Sequence, residues 1–562
     1  MSTQKHWMQR EQLDAQKRFP ARFSSNVSRL FSGFRMADGS LVELRENVIS
    51  NEALSAREIP KALSDVTDEF LAELYVTQIQ NNDGVALVAL GGYGRAELCP
   101  SSDLDLMLIH KDRDDIDSLA DRLWYPLWNE GFRLGHSVRS VDQTLRLAST
   151  DLETATSLLN GRLIAGDSDL LQDLLARNEE QWVAHGLDRL DELARNVRRR
   201  HLLSGEVAFL LEPDLKEGRG GLRDVHAINW AVRAGVEVPV HDHERLAEAY
   251  EVLLEARVEL HRLSRKRGDV LLLEDQESVA AALGDRDADV LMGRVASAAR
   301  TVAYLSDETW RHLDRESAEA VSVELEVSGL TVTDSEILVL GDPSTDPLLV
   351  LYAAVQAMHS GLPLARESLR LFADRQVDLP DPWPQGARDL FVELLKGGQR
   401  SIPVIESLDY FEVWTRLLPE WTPNRSRPQR NVYHRFTVDR HLLETVAEAA
   451  RLTHRVQRPD LLLVAALLHD VGKGYPGDHT EAGMGLIASI ASRCGFPKED
   501  VDLLSRLVEN HLLLPDTATR RDLEDLQTIR TVAEKVETVE FLELLAALTE
   551  ADSIATGPTA WG

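Results

Sequence analysis

The chain has 562 residues, 43% of them hydrophobic and 28% charged, and carries a formal net charge of −31. That length suits about three to four domains, and the mixture holds enough apolar residues for several cores. The excess of carboxylates disfavours wrapping a long nucleic acid, and two cysteines, Cys99 and Cys494, argue against a disulfide framework or a zinc–thiolate site.

The opening residues, Met1 to Gln12, are polar, so no signal peptide is visible. The most apolar run, Leu461 to Leu468, is too short to span a bilayer, and the expectation is a cytoplasmic protein with no membrane partner. Few aromatics and many Leu, Ala, Glu and Arg residues predict a largely helical chain. Residues 1–65 read as an N-terminal helical region. Asp68 to Gln80 has helical spacing, Val85 to Leu90 and Leu104 to Ile109 read as buried strands, Ser118 to Asn129 as an amphipathic helix, and Leu134 to Val141 as another strand. Residues 66–165 therefore form a mixed domain. Residues 166–318 read as helical, interrupted by the Gly-rich stretch Glu212 to Asp224. The cationic cluster Arg198 to His201 fits either a solvated helix face or a phosphate or partner contact. Residues 319–430 form a central linking region, β-rich at its start (Val321, Val323, Leu325, Val327, then Leu330, Val332), with a possible boundary at 421–432. Residues 431–562 are a further helical domain.

Two short segments carry the first chemistry. Gly91 and Gly92 follow a strand and let the backbone approach a phosphate chain. Asp103 and Asp105 are two apart on a strand, so both carboxylates face one side. Such a pair repels unless a cation joins it, and Mg²⁺ commonly bridges carboxylates to substrate phosphates. Arg95 adds a phosphate-binding candidate. The arrangement resembles the polymerase-β-type nucleotidyltransferase fold, which usually supplies a third carboxylate; Glu130, Asp142 and Asp151 are candidates and none is assigned. Arg139 fits a phosphate contact or a structural ion pair.

A second constellation lies downstream. His469-Asp470 ends an apolar helix, with His441 about one helix upstream, His479 and His511 after it, and Asp552 on the last helix. His441, His469, Asp470 and Asp552 can close one metal site, and His479 and His511 can hold a second ion, the metal being Mg²⁺, Mn²⁺ or a similar divalent cation. Such a site suits phosphoester hydrolysis. Lys473 fits a phosphate contact or an exposed lysine.

The strings GGYGRAEL, SSDLDLMLI, LGHSVRS, EPDLKEGRGGLRD and LLHDVGKGYPGDHTEAG, in this order, make the sequence resemble the bifunctional uridylyltransferase/uridylyl-removing enzymes of bacterial nitrogen control, over nearly all of the chain from about residue 66. The resemblance implies an α+β, mostly helical protein, with a nucleotidyltransferase domain, a helical domain and an all-α HD phosphohydrolase domain. It implies UMP or AMP transfer from UTP or ATP to a tyrosine of the PII signal protein, catalysed at Asp103 and Asp105, and hydrolytic removal at His469 and Asp470. The family places the EPDLKEGRGGLRD segment near the transferase site, which makes Lys216, Arg223 and Asp224 contact candidates there. The family continues into two glutamine-binding ACT domains; no ββαββα pattern follows residue 552, so glutamine binding by this polypeptide is not expected. The alternative reading is an RNA nucleotidyltransferase of the tRNA 3′-end type with an HD domain, disfavoured by the charge and the lack of a basic-aromatic stretch. A stringent-response enzyme would place its HD domain first, and a non-enzymatic scaffold would not need the intact carboxylates and histidines.

Overall fold

The run Val85–Ala89 (β1) is buried at every position, as a strand covered on both faces must be. It lies inside a four-stranded sheet of order β3-β2-β1-β4, with β2 at Leu104–His110, β3 at Leu134–Ser140 and β4 at Arg162–Gly166. In this computed structural model the described residues are 39–557 and 560–561, apart from 80–82, 317–321, 325–328, 376–377 and 431–432. Most of the expected N-terminal helical region, residues 1–38, therefore lies outside them, as do Val321, Leu325 and Val327.

β1 runs antiparallel to β2 and β4, whereas β2 and β3 are parallel. A parallel pair needs a crossover. The helix Ile116–Asn129 supplies it, burying Leu119, Leu123, Trp124 and Leu127. The helix Ile59–Gln78 carries Pro60 in its first turn, tolerated where no intrahelical N–H is needed, and buries Ile59, Leu63, Val66, Leu71 and Tyr75. Its Tyr75 hydroxyl donates to the Val85 carbonyl at 2.9 Å, tying it to β1. At the end of β4 only glycine fits: Gly166 has φ +102°, and a Cβ there would lie 2.3 Å from the Val85 carbonyl oxygen. The helix Ser168–Ala184 packs on the sheet through Leu170, Leu171 and Leu174. The first unit of the chain thus reaches Ala184 and includes Arg265–Arg267.

The second unit comprises His185–Ser264 and Gly268–Gly562. One core gathers residues from Val207 to Leu305, a second from Leu330 to Ala551. The Gly-rich stretch is folded tightly. The Val207 N–H donates to the Arg219 carbonyl at 2.9 Å, and a Cβ on Gly220 (φ +83°) would lie 2.4 Å from the Ala299 carbonyl oxygen. A small antiparallel sheet, β5 (Ser322–Glu324), β6 (Leu330–Thr333) and β7 (Glu336–Val339), follows in that order. Asn424, within 421–432, donates to the Val471 carbonyl at 2.8 Å.

In the second unit's histidine-bearing part the site is built on α1 (Val438–Leu452), α2 (Pro459–Leu468), α3 (His479–Arg493), α4 (Lys498–Asn510) and α5 (Val539–Thr556). All eight residues from Leu461 to Leu468 are buried, so α2 is enclosed on every side. Among the described residues no helix is long and apolar enough to cross a membrane.

Candidate active sites

At the start of β2 the burial pattern alternates. Asp103 is exposed, Leu104 buried, Asp105 exposed and Leu106 buried. Both carboxylates therefore leave the sheet on the solvent side while the leucines anchor it. What frames Asp105 is the absence of side chains around it. Gly91 has φ +56°, and a Cβ there would lie 2.8 Å from Asp105 Oδ2; on Gly135, paired with Asp105 across β2 and β3, it would lie 2.3 Å from Oδ1. Neither position accepts a larger residue without displacing the carboxylate. The sequence reading missed Gly135; its only signal was a glycine inside a strand, in the string LGHSVRS.

The Gly91–Gly94 turn is itself pinned. The Leu90 N–H donates to the Asp105 carbonyl at 2.9 Å. Tyr93 is 1% exposed and its hydroxyl donates to Asp68 at 2.6 Å, the same carboxylate that Arg162 holds at 2.5 Å. Burial and Asp68 hold the Tyr93 hydroxyl well above its ordinary value, so it stays protonated and donates. Arg95 is engaged by Glu97 at 2.6 Å, and a Cβ on Gly92 would meet its guanidinium at 3.8 Å.

The three candidates for a third carboxylate are placed differently. Asp142 pairs with Arg177 at 3.0 Å, and Asp151 caps the helix Leu152–Leu158 by accepting from the Thr154 N–H at 2.7 Å. Glu130 shares a cavity of about 290 Å³ with Asp103, and its Oε2 accepts from the Val42 N–H at 3.1 Å. Lys216, Arg223 and Asp224 belong to the second unit. Lys216 Nζ lies 3.8 Å from Asp269, and Arg223 pairs with Glu217 at 3.2 Å. Asp224 is fully buried, bound by Arg200, by His201 at 2.9 Å and by the Gly220 N–H at 2.7 Å, so it holds the loop and cannot reach a ligand. The Arg198–His201 cluster accordingly splits: Arg200 and His201 turn inward to Asp224, while Arg198 and Arg199 are exposed.

The second constellation is largely buried, with His479 and Asp552 partly exposed. His441 sits on α1, His469 and Asp470 just past the end of α2, His479 at the start of α3, His511 just past α4, and Asp552 on α5. His441 Nε2 is 3.0 Å from Asp552 Oδ1, and His469 Nε2 lies 3.4 Å from Asp470 Oδ2 and 3.5 Å from Asp552 Oδ1. The other carboxylate oxygen of Asp470 is 3.8 Å from His511 Nε2 and 4.0 Å from His479 Nε2. Ligand atoms of His441, His469 and Asp552 lie within 4.8 Å of one another, and so do those of Asp470, His479 and His511. A third set, His434, His441 and Asp470, adds a histidine that the sequence reading passed over, seven residues before His441.

The orientation of these rings favours a cation. His469 Nδ1 faces the Ala466 carbonyl at 3.0 Å and His511 Nδ1 the Val508 carbonyl at 2.6 Å. With Nδ1 engaged by a carbonyl, each ring turns its Nε2 inward, where it meets the carboxylates or, once its proton is released, a cation. His441 Nδ1 and Asp470 Oδ1 are buried without a hydrogen-bond partner, and Nε2 of His441 and of His469 approach Asp552 without hydrogen-bond geometry. Buried polar atoms are normally satisfied, and a divalent cation held by imidazole and carboxylate satisfies these.

The local charges are strongly coupled. Burial opposes charge on His469, but Asp470 and Asp552 hold its imidazolium up to about 10. Burial also opposes both carboxylates, yet Lys473, at 2.6 Å, and His469 hold Asp470 well below its ordinary value, and His469 with His441 does the same for Asp552. Burial, helped by Lys473 and His441, pushes His434 down to about 4.

A mixed sheet presenting glycine-framed carboxylates, followed by a helical histidine–aspartate pocket, defines a mostly helical α+β protein that joins a nucleotidyltransferase fold to an HD domain. Comparison with known proteins agrees. The HD domain family matches residues 438–556, and the family described as GlnD PII-uridylyltransferase matches residues 188–310. The chain is 44% identical, over 93% of its length and 65% of the relative's, to a bifunctional uridylyltransferase/uridylyl-removing enzyme of Streptomyces coelicolor. It is 42% identical to one of Mycobacterium tuberculosis, over 86% of this chain and 62% of the relative. With one of Corynebacterium glutamicum it shares 35% identity over 85% of this chain and 70% of the relative.

The chain belongs to the family of bifunctional uridylyltransferase/uridylyl-removing enzymes. It spans just under two thirds of the length of the Streptomyces and Mycobacterium relatives. The tRNA-end nucleotidyltransferase alternative is set aside by this membership.

Proposed function

We propose that the chain attaches a nucleoside monophosphate to a tyrosine of a PII-type signal protein in the cytoplasm and removes it at a second site. The observation that carries this reading is that one chain holds both the Asp105 carboxylate seated between Gly91 and Gly135 and the His441–His469–Asp552 set. The relatives, named for both a uridylyltransferase and a uridylyl-removing activity, support it.

In the attachment reaction the tyrosine oxygen bonds to the α-phosphorus of UTP or ATP. The bond from that phosphorus to the bridging oxygen breaks, and pyrophosphate leaves. Asp103 and Asp105 would hold Mg²⁺, which when bound neutralises the triphosphate. The glycines keep the Asp105 carboxylate fixed, and Tyr93 and Asp68 keep the Gly91–Gly92 turn, proposed to carry the phosphates, from moving. Arg95, Lys216 and Arg223 are the further phosphate contacts we propose.

In removal, water adds to the same phosphorus and the phosphorus–tyrosine oxygen bond breaks, returning the hydroxyl and releasing the nucleotide. His441, His469, Asp470 and Asp552 would hold one divalent ion and His479 and His511, through Asp470, a second; when bound, such ions supply an activated water and polarise the phosphoryl oxygen. Lys473 neutralises part of the carboxylate charge. The domains proposed to carry these steps are residues 66–165 for transfer, 166–318 as its helical companion and 431–562 for hydrolysis.

The test is incubation with a PII protein, Mg²⁺ and UTP or ATP in turn, followed by intact mass. A mass increase of one nucleoside monophosphate, reversed on incubation without triphosphate, is expected. No increase with either nucleotide overturns the reading.

A further inference from the structure

A cavity of about 410 Å³ in the second unit serves neither of the sites above. Glu206, Phe209 and Arg219 form one wall, and a single face of the helix Ala288–Glu316, bearing Arg300, Tyr304, Asp307 and Arg311, forms another. The turn at 361–364 and the helix Ser401–Tyr410 close it. Its volume falls within the range of small-molecule sites, typically about 300–1,000 Å³.

The charge of the lining is opposite to that of the chain. Four guanidinium groups, Arg219, Arg300, Arg311 and Arg400, face three carboxylates, Glu206, Asp307 and Glu406, whereas the whole protein carries −31. Arg219 is committed to Glu206 at 2.8 Å and Asp307 at 2.6 Å, Arg300 to Asp409 and Asp439, and Arg311 to Glu308. Arg400 is exposed and has no ion pair among the described residues. A guanidinium left over at the mouth of a cavity offers a planar fork that matches a carboxylate or phosphate.

Two further features suit an organic body behind that anionic head. Tyr304 and Tyr410 stack with ring centroids 4.3 Å apart, and Leu362, Leu364 and Val404 add apolar wall. The Tyr304 hydroxyl, and Nε of Arg300 and of Arg311, are buried without a hydrogen-bond partner, an unusual concentration of unsatisfied groups around one space.

The walls also reach the hydrolytic pocket. Arg440, next to His441 on α1, pairs with Glu206 at 2.7 Å and with Glu406, and Asp439 pairs with Arg300. A molecule that draws on Arg219, Arg300 or Glu406 therefore redistributes ion pairs that hold the helix carrying His441.

We propose that this cavity is an effector site for a small organic anion, with a carboxylate or phosphate head on Arg400 and an apolar body against Tyr304 and Tyr410, and that its occupancy adjusts the hydrolytic pocket. The binding half stands without the functional reading above; the coupling half rests on it.

Isothermal titration with phenylphosphonate and with phenylacetate separates the two head groups. One of them should bind once per chain with a Kd below about 1 mM. Arg400→Ala and, independently, the cavity-filling Ser407→Trp should each weaken that binding at least about tenfold, while Asp105→Asn and His469→Ala leave it intact. No binding of either probe below about 10 mM overturns the site, as does binding that survives in both cavity variants or disappears in Asp105→Asn or His469→Ala. The coupling half is read from hydrolysis of bis(4-nitrophenyl) phosphate. A saturating probe should change the rate at least about threefold in the parent chain and not in Ser407→Trp. An unchanged rate with binding intact overturns the coupling alone, whereas a chain that binds the probe but hydrolyses no phosphodiester overturns the hydrolytic reading and leaves the site standing.

Discussion

Asp105 stands exposed near the start of an inner strand, positioned by two glycines, whereas His469 is wholly buried, positioned by packing on every side. The first arrangement has few ligand atoms and depends on empty space. The second already gathers imidazole and carboxylate atoms within 4.8 Å. An exposed carboxylate pair gains its remaining ligand atoms from what binds it, whereas a buried pocket fixes its ligand atoms beforehand. The two should therefore fail separately and for different physical reasons.

The largest expected effect breaks one site at a time. Asp105→Asn should lower attachment at least about 10³-fold and leave removal within about twofold, and His469→Ala should do the reverse. Labelled PII, made once and split between the two variants, measures both rates. If either substitution eliminates both reactions in a folded chain, the two sites are not independent.

A smaller loss distinguishes framing from chemistry. Gly135→Ala adds a methyl carbon 2.3 Å from Asp105 Oδ1 and must displace that carboxylate. Attachment should fall about 10²-fold, as expected for a misplacement near one ångström, with circular dichroism unchanged. Gly293→Ala, where nothing lies within 4 Å of the added carbon, is the control and should have no effect on attachment. Equal rates in the two variants would mean that the frame around Asp105 is dispensable.

The same contrast decides what was legible in the sequence. His441, His469, Asp470 and Asp552 announce themselves by residue type, because few structural needs place imidazole beside carboxylate at the end of an apolar helix. Three of the four strands were legible too, since runs such as VALVA and LDLMLI alternate or bury as strands do, whereas β4 was not read. Gly135 was not, because its contribution is a missing side chain whose neighbour is fixed only by the register of β2 on β3. His434 was passed over because it lies in an irregular segment, where no periodicity says which way a side chain points. Asp224 looked like a ligand contact in a Gly-rich loop, and only the inward turn of Arg200 and His201 shows that it binds the protein to itself.

A pH experiment sharpens the comparison from the protein's interior. Burial, with Glu206 adding to it, pushes Glu406 up to about 7 against the pull of Arg440, Arg219 and Arg300. A carboxyl whose folded value lies above its unfolded one, ordinarily 4.5, gives its full stability below that lower value. It loses that stability as pH rises through about 7, since the folded state then holds the extra proton. Glu406→Gln should therefore gain on the parent chain between pH 5 and pH 8, by on the order of 2 kcal/mol in unfolding free energy. A difference that stays flat, or moves in the parent's favour, would show that the three arginines outweigh burial.

The smallest effect concerns how the hydrolytic pocket is held. α2 ends just before His469 and begins beside Arg458, which pairs with Asp460 at 2.8 Å and Asp500 at 2.7 Å while a third of its side chain remains exposed. Ion pairs at that exposure contribute about 0–1 kcal/mol, because water screens them and two long side chains must be ordered. Leu463, on the same helix, is 0% exposed, and its truncation leaves a cavity costing about 2–5 kcal/mol. Arg458→Ala should thus shift the denaturation midpoint slightly, more at low salt than at high, and leave removal of the nucleotide unchanged. Leu463→Ala should destabilise several times more. A loss of hydrolysis in Arg458→Ala comparable to that of Leu463→Ala would mean that the orientation of α2, and with it His469, is set at the charged end of the helix and not by its enclosure.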